Sequence, residues 1–292
     1  MTVLIAGCGD LGTEVGLRFI ALGRPVVGLR RSAHLLPPAI TGQSVDLSRE
    51  RPEIPADTEL VVMPIAPSYA AGAPRSGETY RATYLDTLTN LLDALDAAAV
   101  TPRRFLLVSS TAVYDVSDGS SVDESTPARP DTANSLILLE AEELLRTRQP
   151  GAVVFRLAGV YGPGREQLIT QVRESRATPV GPGHHTNRIH RDDAAAAIVH
   201  LLTMAAEPAP LYIGVDSAPA ERDEVIEFLA AELGVTLPET AAAPSPVTPG
   251  PTRGGDKLCR NDLLLSTGFR FTYSDYRAGY RSILAGEGTR HL

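Results

Sequence analysis

The chain has 292 residues, of which 43% are hydrophobic, with a formal net charge of -8 and a pI near 5.3. That length holds one large α/β domain, or one domain with a smaller lobe attached. An acidic balance with no Lys/Arg-rich block argues against a nucleic-acid partner. Apolar runs such as Leu60–Met63 are far too short to cross a bilayer. The N-terminus passes straight into strand-like sequence with no basic leader, so a cytoplasmic protein with no membrane partner is expected. Cys8 and Cys259 show neither disulfide nor metal spacing, and no metal site is expected. Cys8, inside a glycine-rich loop, reads as a small filler.

In chain order, Val3–Ala6 is a short apolar run bounded by glycine, the pattern of a buried parallel strand. Leu11, Val15, Phe19 and Leu22 then follow at helical spacing, and Gly23 stops the helix. Pro25–Leu29 reads as a second strand, Ser44-Val45 leads to a third, and Leu60–Met63 is a fourth. Tyr80, Tyr84, Leu88, Leu91, Leu92 and Leu95 mark one face of a long helix. Phe105–Val108 is a fifth strand, Leu136–Leu145 a helix, and Val153–Leu157 a sixth strand. Such alternation predicts a Rossmann-type, doubly wound parallel α/β sheet with right-handed crossovers.

Beyond it the pattern loosens. Pro179–His185 is a Gly/Pro/His loop, Asp192–Met204 and Arg222–Leu233 are helical, and Leu211–Ile213 is a strand. The Pro/Ala/Thr/Gly-rich stretch Pro238–Gly255 reads as an exposed excursion. The expected plan is a nucleotide domain over residues 1–164, completed by about 189–216. A small substrate lobe would come from 165–188 and 217–292.

Gly7-Cys8-Gly9-Asp10-Leu11-Gly12 is a G-x-G-x-x-G run that follows a strand and opens a helix, the context in which the motif binds a dinucleotide. Gly7 permits the tight turn, Gly9 lets the backbone approach a pyrophosphate, and Gly12 allows close helix–strand packing. The helix N-terminus, at Asp10 and Leu11, offers N–H donors and partial positive charge. Strand two ends in Arg30-Arg31, where a NAD site would carry an acid for the ribose 2′-OH. A guanidinium pair suits a 2′-phosphate instead, so NADP is expected over NAD. Asp46 and Leu47 follow strand three and border the adenine. Pro64 and Ile65 follow strand four at the same end of the sheet.

By these features the chain resembles the extended or atypical short-chain dehydrogenase/reductase superfamily, of NAD-dependent epimerase/dehydratase type. Its further markers are Val108–Tyr114 after strand five, Arg156–Gly164 after strand six, and Arg188–Ala194 opening a later helix. The resemblance implies that Ser110, with Thr111, holds the reacting heteroatom. It also implies that Ser109 and the run Leu157, Ala158, Gly159 and Val160 line the cofactor, and that Tyr114 and Tyr161 pack. The family's Tyr-x-x-x-Lys pair is missing. The matching helix puts Asn134 at the Tyr and Leu138 at the Lys. Asn is no general acid near neutral pH, and Leu cannot tune a neighbour by charge.

Candidate replacements are Tyr69, past strand four; Tyr80 and Tyr84, one turn apart; and His190. The pair His184-His185 lacks a third ligand, so it reads as solvated. Arg165, His190, Arg253 and Lys257 are expected to receive anionic groups of a small-molecule substrate. The favoured expectation is an NADP(H)-dependent oxidoreductase acting on a small polar carbonyl, alcohol or imine, with a homodimer as a possible assembly. Its rivals are a nucleotide-sugar epimerase or dehydratase and a non-catalytic NADP(H)-binding sensor or scaffold.

Overall fold

Two-sided burial turns the apolar runs of the first half into the central strands of one parallel sheet. The computed structural model describes residues 1–67, 76–238 and 255–291. Its main sheet has seven strands: β1 (Thr2–Ala6), β2 (Val26–Arg30), β3 (Thr41–Ser44), β4 (Thr58–Met63), β5 (Arg104–Ser110), β6 (Val153–Leu157) and β7 (Leu211–Gly214). Their order is 7-6-5-4-1-2-3, and every neighbouring pair is parallel. Along β1, Val3 and Ile5 enter one hydrophobic cluster while Leu4 and Ala6 enter another. β4 divides the same way, with Leu60 and Val62 against Val61 and Met63. Period-two alternation with both faces apolar is what a doubly covered parallel strand requires.

The helices are α1 (Asp10–Ala21), α2 (Gly77–Arg81), α3 (Thr87–Ala97), α4 (Ala133–Arg148), α5 (Gln167–Arg173), α6 (Arg191–Thr203), α7 (Arg222–Leu233), α8 (Asp262–Ser266) and α9 (Tyr276–Leu284). α1 and α6 cover one face through Val15, Phe19, Ala194, Ile198 and Leu201. α3 and α4 cover the other through Leu88, Leu91, Leu95, Ile137, Ala141 and Leu145. Each fully buried Leu or Ile contributes about 1.5–3 kcal/mol through removal from water. A third cluster joins α5, α7 and α9 through Ile169, Val172, Ile226, Leu229, Tyr276 and Tyr280. None of the helices among the described residues is long and apolar enough to cross a membrane.

The strand order reverses between β1 and β4, so their C-terminal ends open a crevice, the place where open α/β sheets bind ligands. Most predicted elements lie within a few residues of the observed ones, and two differ. The third strand runs over Thr41–Ser44, ahead of the expected Ser44-Val45, because a polar, largely exposed edge strand carries no apolar signal. The long helix after β4 is interrupted: a π-helical turn, Ala82–Asp86, joins α2 to α3. Of the predicted excursion Pro238–Gly255, residues 239–254 lie outside the described residues.

Candidate functional site

A cleft of about 700 Å³ opens at the crevice. The glycine loop forms its floor. Gly7 has φ +88°, and a Cβ there would lie 2.0 Å from Ile65 Cγ2, so only glycine makes this turn. Gly12 is packed, since a Cβ would meet the Gly7 carbonyl oxygen at 2.9 Å and the Ile5 and Pro64 side chains just beyond 3 Å. Gly9 is the contrast: it lines the cleft, and among the described residues a Cβ would meet no non-neighbouring atom within 4 Å. α1 starts with no side-chain cap, and its first backbone bond is Thr13 N–H to the Gly9 carbonyl. The N–H groups of Asp10, Leu11 and Gly12 therefore have no acceptor inside the helix, which is the arrangement that receives an anion.

Around that floor, the cleft is lined by Gly7, Gly9, Asp10, Leu11, Arg30, Arg31, Asp46, Leu47, Pro64 and Ile65, ten of the residues expected at a cofactor. Arg30 donates to the Cys8 carbonyl at 3.4 Å, which holds it across the loop. Asp46 is kept below the usual carboxylate range, first by the Ser48 hydroxyl and to a smaller degree by the charges of Arg31 and Arg49. Cys8 is fully buried and burial pushes its thiol up to about 11, in keeping with a filler.

The Asp10 carboxylate is held by three donors. It accepts from Arg165 Nε at 2.9 Å, from the buried Arg191 Nη1 at 2.7 Å and from the His291 backbone at 3.2 Å. Arg165 thus lines the cleft, although the sequence put it in the substrate lobe. Arg191 also donates to the Thr289 carbonyl, tying the last residues to the glycine loop.

The turn after β5 lies on the other side of the switch point. Ser110 is half-buried, pairs in register with Leu157 of β6, and its Oγ accepts from Ala112 N–H to open the turn Thr111–Val113. Register therefore brings Ser110 beside the Leu157–Val160 segment. Ser109 faces the opposite way, donating to Glu142 Oε1 at 2.6 Å. Glu142 is fully buried and accepts two bonds from Arg156, at 2.9 and 2.6 Å. The Arg156 guanidinium lies 4.8 Å from the centroid of the buried Tyr114 ring. None of Ser109, Ser110, Thr111, Leu157, Ala158, Gly159 or Val160 lines the cleft itself.

The proposed substitutes for the absent acid scatter. Tyr84 is buried in the apolar cluster against α3, its ring 5.7 Å from that of Tyr80. His190 is 1% exposed, packs between Tyr161 and Tyr273, and caps α6 by accepting from Asp192 N–H. Burial pulls its pKa down to about 4, which favours the neutral ring, a weaker acid than an imidazolium. Tyr69 and Arg253 lie outside the described residues. His185 pairs with Asp256 at 2.8 Å, and no cluster of three or more metal-ligating side chains occurs among the described residues.

The family model for the NAD dependent epimerase/dehydratase family matches residues 3–214, from β1 to β7. The chain belongs to this family. A solved structure from Methylobacillus flagellatus, provisionally assigned as an NAD-dependent epimerase/dehydratase, is 33% identical over 98% of both chains, with a TM-score of 0.78. The human epimerase family protein SDR39U1, solved with NADPH, shares the fold at 22% identity and TM-score 0.79, covering 98% of this chain and 99% of that one. A dTDP-6-deoxy-L-talose 4-dehydrogenase (NAD(P)(+)) from Kitasatospora kifunensis is 27% identical over 269 residues, 85% of this chain and 83% of its own.

Sequence reasoning missed one wall of this family member's cleft. Thr79, Ala82, Thr83 and Thr87 line it from α2, the π-turn and the start of α3. Wide turns of this kind occur often at functional sites. Here the Thr87 hydroxyl donates to the Ala82 carbonyl, within the loosened turn. The available signal was three small hydroxyl residues interrupting the apolar face, a pattern that an apolar count passes over.

Proposed function

We propose that the protein is an NADP(H)-dependent oxidoreductase acting on a small polar carbonyl, alcohol or imine. The observation that carries this reading is the arginine pair: Arg30 and Arg31 line the cleft at the end of β2, where an acid would favour a free ribose. The cleft fits a dinucleotide, for its floor is a turn only Gly7 can make and its approach at Gly9 is open. The N–H groups of Asp10–Gly12 would hold the pyrophosphate, with Arg165 beside them. Arg30 and Arg31 would take the 2′-phosphate, and Asp46 and Leu47 would border the adenine. The nicotinamide, when bound, supplies or accepts a hydride. Ser110 would hydrogen-bond the reacting heteroatom and stabilise the charge that builds there.

Two measurements test this. NADPH should bind more tightly than NADH in calorimetric titration, and Arg30→Ala should cost roughly ten- to a hundredfold in NADPH affinity, the loss of a charge-assisted hydrogen bond. Equal affinities for the two cofactors would overturn the assignment. Ser110→Ala should lower NADPH-linked turnover about 10²–10³-fold, the usual effect of deleting an oxyanion donor. The assay is NADPH oxidation over a panel of aldehydes, ketones and imines. Its members should include a nucleotide-sugar ketone, a choice supported by the similarity to the talose dehydrogenase. A protein that binds NADPH and turns over nothing would be a sensor or scaffold, the outcome Asn134 and Leu138 favour.

A further inference from the structure

Of the 27 basic side chains in the sequence, one is a lysine, Lys257; every other is an arginine. Arginine is always charged, whereas a lysine ammonium is a compact charge that can give up its proton. The single lysine is also among the most buried polar residues of the molecule, at 1% exposure. Its Nζ donates to the Tyr114 carbonyl at 2.7 Å. Tyr114 closes the turn that Ser110 opens.

The strand Leu258–Cys259 explains how a residue so late in the chain arrives there. It pairs in parallel with Ser121–Val122, just past the turn. On the other side Asn187 clamps it, Nδ2 donating to the Lys257 carbonyl and Oδ1 accepting from Cys259 N–H. Lys257, just ahead of this strand, meets the Tyr114 carbonyl, and Cys259, within it, meets the Thr111 side chain. One short segment thus touches both ends of the Ser110–Tyr114 turn.

We propose that Lys257 is the positioning group of this turn: its ammonium anchors the Tyr114 carbonyl, fixes the Ser110 and Thr111 hydroxyls, and places beside them the cation that Leu138 does not supply. The proposal rests on the oxidoreductase reading, in which the nicotinamide end of the cofactor meets Ser110. Among the described residues, the charged and titratable groups facing Lys257 are Cys259 two positions on, Asp115 beyond the turn and Asp131 ahead of α4. Arg156, over the Tyr114 ring, and Glu124, which faces both Tyr114 and Cys259, complete the surroundings. Burial lowers the Lys257 pKa, with Cys259, Asp115 and Asp131 opposing it.

A chain with one lysine can be read directly. Protein labelled with [13Cε]lysine should give one ammonium-bearing resonance, assigned by its loss in Lys257→Arg. Its titration midpoint should lie below the ordinary lysine value of about 10.4. It should fall further with NADP+ than with NADPH, because the oxidised ring carries a positive charge and a like charge disfavours the ammonium. A midpoint at the ordinary value, or one indifferent to the redox state of bound cofactor, would overturn the proposal. A parallel NADPH titration by fluorescence keeps the two readings apart. No binding there overturns the cofactor reading and this proposal with it, whereas normal binding with an indifferent lysine overturns this proposal alone.

The second arm uses variants. Lys257→Arg and Lys257→Met should keep NADPH affinity within about twofold, since the glycine loop is untouched. Both should lose roughly ten- to a hundredfold in kcat on the best substrate of the panel. Lys257→Arg, which keeps a charge but no titration, should also lose the alkaline limb of the pH–rate profile. An arginine variant with unchanged rate and an unchanged profile would reduce Lys257 to a prop.

Discussion

Gly9→Val should purify as a folded protein, with a melting temperature close to the parent's, and bind NADPH at least a hundredfold more weakly. Geometry separates the two effects. Among the described residues a Cβ at Gly9 meets no non-neighbouring atom within 4 Å, and its φ of -86° is ordinary for any residue, so those residues have nothing to repack. The space beside it is the cleft, which Asp10 and Leu11 at the start of α1 also line. A pyrophosphate held there needs close backbone approach, and a branched side chain denies it. The neighbouring glycines supply the control. Gly12→Ala drives a methyl to 2.9 Å from the Gly7 carbonyl oxygen, and Gly7→Ala adds a positive φ to a 2.0 Å clash with Ile65. Both should lose stability as well as affinity. Circular dichroism melts beside fluorescence titrations of NADPH make the comparison. Normal NADPH binding by folded Gly9→Val would mean that the loop is only a turn.

That contrast also shows what a sequence makes legible. The floor of the cleft could be read because each of its parts has a local cause: a strand, three glycines at fixed spacing, an uncapped helix and a basic pair one strand later. The sheet could be read for the same reason, since burial on both faces leaves unbroken apolar runs. Illegible were features decided by distant pairing. Arg165 looked like a substrate-lobe residue until Asp10, 155 positions earlier, was found to hold it at the cleft. The wall formed by Thr79, Thr83 and Thr87 depends on a π-turn that has no propensity signal of its own. His190 offered the right pKa on paper, and burial between two tyrosines removed it. Edge strand β3 escaped because exposure on both sides frees its sequence from any pattern.

Glu142 is the plainest case of distant pairing, and its loss should be the largest single cost to stability. The residue lies in the α4 stretch Leu139–Glu142, where an acid reads as one more solvated helix position. The structure buries it completely, with Arg156 donating twice, Ser109 once and Arg146 once. Removing one member of such a pair leaves the other charged and without its counter-ion in a dry site, at about 3–5 kcal/mol. Glu142→Ala should therefore lower unfolding free energy by roughly that amount, measured by urea denaturation with an unchanged slope. Glu142→Gln, which keeps the shape and some hydrogen bonds, should lose less. The double variant Glu142→Met with Arg156→Met should recover much of the loss, because an apolar pair of similar volume removes the stranded charge. Recovery separates a desolvated ion pair from mere packing. If the double variant is no more stable than Glu142→Ala, cavity formation rather than charge sets the cost. The same pair backs Ser109, and with it the end of β5 from which Ser110 projects. Glu142→Ala should for that reason disturb turnover more than NADPH affinity, because the glycine loop follows β1, on the other side of the strand-order reversal.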